Sequence, residues 1–265
     1  MQQQNTEMPP GIRQTVDVLV VIKKNEASVM ACDSESGEVQ YQKDFSFPLN
    51  SIEVLNLFDQ LNIKDFQVIS SSDDFTVVPT ELSDSGDHRR WLGELPVNEE
   101  REIVLRDVVT AKNLHVFFSV QADHFEFFSQ VVPKSQIQHL SKVVINNSDR
   151  APFAAIWSKM VCFFIDKRVF IVAYHHNDIK LANFFGFELP ADALYYILWV
   201  KKQIFHDSEV PVFINGFIHG KSKLFEVLKS YIKDIHLGTR LNKSKGVDAR
   251  SDENSHQTEL LIGGY

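Results

Sequence analysis

The stretch Gly216-Phe217-Ile218-His219-Gly220-Lys221-Ser222 is where this sequence comes nearest to a nucleotide-binding motif. A glycine-containing loop that ends in Lys-Ser between a strand and a helix can wrap a phosphate in backbone N–H groups. The spacing argues against it. A phosphate loop of that kind holds about four residues between its glycines, and here Phe217, Ile218 and His219 are all that intervene. Phe217 and Ile218 are also bulky for such a loop, so Ser222 reads first as the N-cap of the following helix. Lys23, Lys24, Lys167 and Arg168 sit at turns, where they can attract phosphate by charge or serve as solvated hairpin tips. The ten histidines form no zinc motif. His175 and His176 are adjacent, and on a strand they would point to opposite faces. No serine or cysteine lies in a nucleophile motif. Cys32 and Cys162 read as buried thiols of a reducing compartment.

The elements that must position these residues come in two similar sets, offset by roughly 142 positions. In the first set, the β-branched run from Val16 to Ile22 predicts a strand buried on both faces. Ala27 to Asp33 returns after a polar turn, and Glu38 to Phe45 alternates as a third strand. Asn50 and Glu53 form a capping pair for a helix carrying Val54, Leu55, Phe58 and Leu61, and Phe66 to Ser70 is the next strand. In the second set, Met160 to Asp166, Val169 to Tyr174 and Lys180 to Phe187 are the three strands. A helix starts at Pro190, with Asp192 at its positive end and Lys201 and Lys202 at its negative end. Pro211 to Ile214 is a strand, followed by the Gly216–Ser222 loop and a helix bearing Leu224, Val227, Leu228 and Tyr231.

An antiparallel three-stranded meander followed by a helix and a parallel strand is the ribonuclease-H-like unit. Two in tandem predict an α/β protein of the actin-like ATPase fold. The expected division is a first domain over 1–150, with an insertion after its fourth strand, a second over 151–237, and a polar tail over 238–265. Within 80–150, His115 to Val120 reads as a strand, Ala122 to Phe128 and Lys142 to Asn147 as short elements. Gly238 to Glu259 carries no periodicity, while Leu260 to Tyr265 is apolar enough to dock. Ribonuclease-H-like units often carry metal-binding carboxylates, and Asp17, Glu53 and Asp73 are the nearest set for a two-metal nuclease. Asp17 begins its strand rather than lying midway, and Glu53 already has a capping role.

A net charge of -8 and a pI near 5.7 disfavour nucleic acid and anionic membranes as partners, because phosphate attraction needs a basic face. The first residues lack the pattern of a signal peptide, and no apolar run approaches the ~20 residues needed to span a bilayer. The expected location is the cytoplasm.

Three segments carry a closer resemblance: Phe75 to Leu82 (FTVVPTEL), Asn183 to Gln203 (NFFGFELPADALYYILWVKKQ) and Val212 to Ile232 (VFINGFIHGKSKLFEVLKSYI). Together they resemble an uncharacterised bacterial family with an actin-like fold and no established activity. In active actin-like ATPases, two glycine-containing hairpins cradle the phosphates. The resemblance places Asp166 at the expected aspartate of the second hairpin, and Gly216, Gly220 and Lys221 at the adenosine-contacting loop. Both hairpins depart from the pattern, because Lys23-Lys24-Asn25 and Lys167-Arg168 contain no glycine. The implied function is a non-hydrolysing binding or scaffold protein with a protein partner and no cofactor. The alternative is an atypical ATP·Mg²⁺ protein using Asp166 and the Gly216–Ser222 loop.

Overall fold

A computed structural model describes residues 15–23, 25–35, 39–83, 86–93, 101–131, 137–148, 155–206, 208–216, 218 and 220–237. Lys24, Phe217, His219 and the tail from Gly238 lie outside the described residues. The chain divides into two compact units, Met1–Lys142 and Val143–Tyr265.

In the first unit, β1 (Thr15–Ile22), β2 (Glu26–Asp33) and β3 (Val39–Ser46) form an antiparallel meander. The β-branched side chains of β1 pack on both faces, and Val16, Val20 and Val21 are fully buried. Each such side chain contributes about 1.5–3 kcal/mol on leaving water. The meander runs into α1 (Ser51–Asp59), where the Asn50 side chain accepts the Glu53 N–H at 3.4 Å. The reciprocal half of the expected capping pair does not form, because the Glu53 carboxylate turns instead to Lys43 Nζ at 2.6 Å. Helix α1 buries Val54, Leu57 and Phe58 and hands the chain to β4 (Asn62–Ser70), which lies parallel to β1. This strand begins four positions before Phe66, in a stretch whose alternating exposed residues hide it from a hydrophobicity count. With β8 (Ile137–His139) parallel to β4, the sheet order is β3-β2-β1-β4-β8.

The chain between β4 and β8 builds a second, antiparallel sheet. Its strands β5 (Phe75–Pro79), β6 (Glu102–Val109) and β7 (Leu114–Gln121) lie in the order β5-β7-β6. Helix α2 (Ala122–Val131) follows, three residues longer than the segment read from sequence, and α3 (Leu140–Ser148) crosses the division between units.

The second unit repeats the first pattern. Strands β9 (Lys159–Ile165), β10 (Arg168–His175) and β11 (Asp178–Gly186) are the meander, α4 (Pro190–Phe205) the connection and β12 (Val212–Gly216) the parallel return. Helix α5 (Lys223–Tyr231) then leads to β13 (Ile235–Leu237), and the order β11-β10-β9-β12-β13 matches that of the first sheet. One sheet face packs on Ala193, Ile197 and Val200 of α4 and Leu228 of α5. His175 ends β10 and His176 opens the turn to β11, so the opposite-face geometry of strand neighbours does not apply to them. His176 lies in a turn with φ of 52°, and the two rings stack at 4.1 Å.

Both thiols are free and buried. Among the described residues, no helix is long and apolar enough to cross a membrane.

Candidate functional site

In each unit the parallel strands end side by side where the chain direction reverses, the position at which α/β sheets bind ligands. In the second unit that point joins the end of β9 to the end of β12. Asp166 follows β9 in the two-residue turn to β10 and takes a φ of 53°, a conformation that Asp tolerates better than most residues. Its carboxylate lies 3.7 Å from the Arg168 guanidinium of the same hairpin. Lys167, the other turn residue, pairs with Glu188. The corresponding turn of the first unit is closed by a Lys23 N–H to Glu26 backbone bond of 2.8 Å and by a Lys23–Glu26 ion pair of 2.8 Å. Among the described residues of the two turns, Lys23, Lys167 and Arg168 are each engaged by a carboxylate of their own unit, and side chains stand where a phosphate cradle would need bare backbone.

Gly216 belongs to β12 rather than to the loop, pairing with Phe164 of β9. Its φ is 91°, and a Cβ there would sit 2.2 Å from the Phe164 carbonyl oxygen. The glycine therefore permits a close backbone approach between two strands. Gly220 and Lys221 follow in an exposed turn, and Ser222 Oγ accepts the Phe225 N–H at 3.1 Å as the N-cap of α5. That bond accounts for Ser222 without any phosphate. Asn215, which sequence reading passed over, is buried beside Gly216, and its Nδ2 has no hydrogen-bond partner among the described residues.

The three carboxylates weighed for a nuclease serve separate structural ends. Asp17 accepts from Ser34 Oγ at 2.8 Å, Glu53 is held by Lys43, and Asp73 lies in the loop after β4. Among the described residues no group of three His, Cys, Asp or Glu side chains is placed to hold a metal. A polar cluster that the sequence did not reveal centres on His139, which is fully buried. Its Nδ1 accepts the Ser141 N–H at 3.2 Å, so Nε2 carries the proton and donates to the Ser72 carbonyl at 2.9 Å. Asp107 of β6 accepts the His139 backbone N–H at 2.6 Å and holds Lys142 Nζ at 3.2 Å. Burial raises the pKa of Asp107, while Lys142 and the N–H bond pull it back. The carboxylate reaches the histidine backbone and not its ring, so this is a structural joint rather than a proton relay.

An open depression of about 390 Å³ lies within the second unit, where the β9–β10 turn meets the start of α4. Lys167, Phe187, Glu188, Asp192, Tyr195 and Tyr196 line it. Pro190 fixes the first turn of α4, and Asp192 Oδ2 accepts the N–H groups of Glu188 and Leu189 at 3.1 and 2.9 Å. Tyr196 stacks on Phe185 at 5.0 Å, and Tyr195 meets Tyr196 edge-on at 5.4 Å. Tyr195 stays 60 % exposed, and Leu189 and Trp199 beside it are also exposed. All of these residues except Lys167 come from the Asn183–Gln203 segment that carries the family resemblance. The sequence showed Asp192 as a helix-end charge and the tyrosines as helix positions, but not the depression they share.

Two tandem sheets of matching order define a protein of the actin-like ATPase fold, and comparison with solved structures agrees. The chain is similar to a Bacteroides thetaiotaomicron protein described as having an actin-like ATPase fold and unknown function. The TM-score is 0.66 and the identity 19 %, over 84 % of this chain and 90 % of the other. It is also similar to the PilM–PilN type IV pilus biogenesis complex, with a TM-score of 0.54 and 10 % identity over 94 % and 97 % of the two chains. No curated protein matches the sequence. The chain belongs to the family described as "Protein of unknown function (DUF3822)", which matches residues 12–235.

Proposed function

We propose that this chain is a non-hydrolysing protein of the actin-like fold that acts by binding a protein partner. One observation carries the reading: at both hairpins where an actin-like ATPase would hold phosphate, side chains in local ion pairs replace glycine backbone. A phosphate arriving at the second turn would have to displace Glu188 from Lys167 and Asp166 from Arg168, and both acids would repel it. A fold neighbour comes from the PilM–PilN type IV pilus biogenesis complex, and an exposed aromatic face on α4 gives this chain a surface suited to partner binding.

The rival reading, an atypical ATP·Mg²⁺ protein, is favoured by the orphaned Asn215 amide beside Gly216. Calorimetric titration of the full chain with ATP·Mg²⁺ separates the two. The expected result is no saturable heat. Micromolar binding that disappears in Asp166→Ala or Asn215→Ala would overturn the proposal in favour of the rival.

A further inference from the structure

We propose that the depression between the β9–β10 turn and α4 receives an arginine or lysine side chain from a partner protein, with Leu189, Tyr195 and Trp199 taking the partner's flanking apolar residues. The inference rests on the binding-protein reading above and names its surface and the chemistry of its partner.

The charge balance of the depression decides its ligand. A helix N-terminus ordinarily favours an anion, but here Asp192 already occupies it and both of its recorded N–H bonds fall on Oδ2. Among the described residues Asp192 Oδ1 has no hydrogen-bond partner, so one carboxylate oxygen is available as an acceptor. Glu188 supplies a second carboxylate, and Lys167 offsets only one of the two charges. The depression is thus acidic by one charge and closed to phosphate, and it fits a cation. Its walls add a second, independent attraction. Phe187, Tyr195 and Tyr196 are among the residues that line the space, and a guanidinium lying on an aromatic ring is drawn by its quadrupole. The volume suits a side chain rather than a large cofactor, being near the lower end for small-molecule sites. An arginine, with its planar fork, can stack on an aromatic ring and bond two carboxylates at once, which a compact ammonium does less well.

The next surface outward is apolar. Leu189 is 62 % exposed, and Tyr195 and Trp199 are one turn apart on the same side of α4. A single cation in a shallow site binds weakly, so the adjacent apolar contacts are what make the recognition useful, and the carboxylates supply its selectivity.

Lys167 gives the proposal a signature that a merely structural role would lack. It pairs with Glu188 and therefore competes with an incoming cation, so removing its charge should strengthen binding.

The test uses the full chain and fluorescent, acetylated peptides that alternate leucine with arginine, with citrulline or with glutamate. Citrulline keeps the shape of arginine and loses its charge. Binding by polarisation is expected to be about tenfold tighter for arginine than for citrulline and absent for glutamate, and to weaken with salt. Glu188→Gln and Tyr195→Ala should each weaken the arginine peptide about fivefold or more, and Lys167→Gln should tighten it several-fold. Equal binding of the citrulline peptide, or unchanged binding in all three variants, would overturn the assignment. An ATP·Mg²⁺ titration of the same samples separates the two levels. Failure of the peptides without ATP binding removes this site and leaves the binding-protein reading standing, whereas ATP binding removes that reading itself.

Discussion

Replacing Gly216 by alanine should destabilise the second unit severely, because two costs coincide there. Its φ of 91° lies outside the range of L side chains, and the new Cβ would meet the Phe164 carbonyl at 2.2 Å. A loss of about 3 kcal/mol or more is expected in urea unfolding. Gly220→Ala is milder, since the atom it meets is the end of the Leu237 side chain. The two cysteines make a second residue-scale case. Burial, reinforced by Asp17, pushes the Cys32 thiol up to about 12, and burial raises Cys162 as well. A thiol reagent at about pH 8 should leave both unmodified in the folded protein and label both in denaturant. His124 supplies a pH test. Its buried ring stacks on Phe47 at 3.4 Å, and burial lowers its pKa to about 4, with Asp123 pulling weakly the other way. The unfolded chain takes up that proton below about pH 6.5, and the folded one resists until about pH 4. Stability from this group is therefore complete above about pH 6.5 and lost progressively as pH falls towards 4. Urea midpoints across that window should fall less steeply in His124→Leu than in the parent chain.

The elements differ in how far the sequence disclosed them. Strands β1, β9 and β10 are long runs rich in β-branched or aromatic residues, β12 is a short one, and β2 shows instead as small apolar residues returning from a polar turn; burial on both faces is written into them. Helix α4 shows its start through Pro190 and Asp192 and its buried side through Ala193, Ile197 and Val200. Strand β6 shows no period in the sequence, because Arg106 and Asp107 interrupt its apolar residues. Asp107 is inward, where Lys142 and the His139 N–H compensate it, and no local pattern signals partners more than thirty residues away. Strands β8 and β13, of three residues each, are too short to carry a period. The depression was not legible for a related reason: Lys167 comes from a turn, Glu188 from a loop and Tyr195 from a helix, and their meeting depends on the hairpin's register. The Asp107 joint yields a prediction at this scale. Lys142→Met leaves a buried carboxylate without its cation and should cost about 3 kcal/mol. Asp107→Asn in that background should restore part of the loss, because the amide oxygen can still receive the His139 N–H without a charge.

For the whole molecule, the net charge of -8 predicts no mobility shift of DNA or RNA at about 0.15 M salt, since non-specific nucleic-acid binding depends on phosphate neutralisation by a basic face. A shift that weakens with added salt would show such a face to exist. The repeated sheet order has a temporal consequence. Each unit must add its fifth strand to its fourth in parallel, β8 to β4 and β13 to β12. The first closure joins Val68 to Ile137, the second Val212 to Ile235. The chain looped out by the first is about three times longer, a difference of about 1 kcal/mol in closure entropy. In refolding, amides of the later-synthesised unit should therefore be protected from exchange before Ile137 and His139 are. The half of the protein that leaves the ribosome last would be the half that locks first.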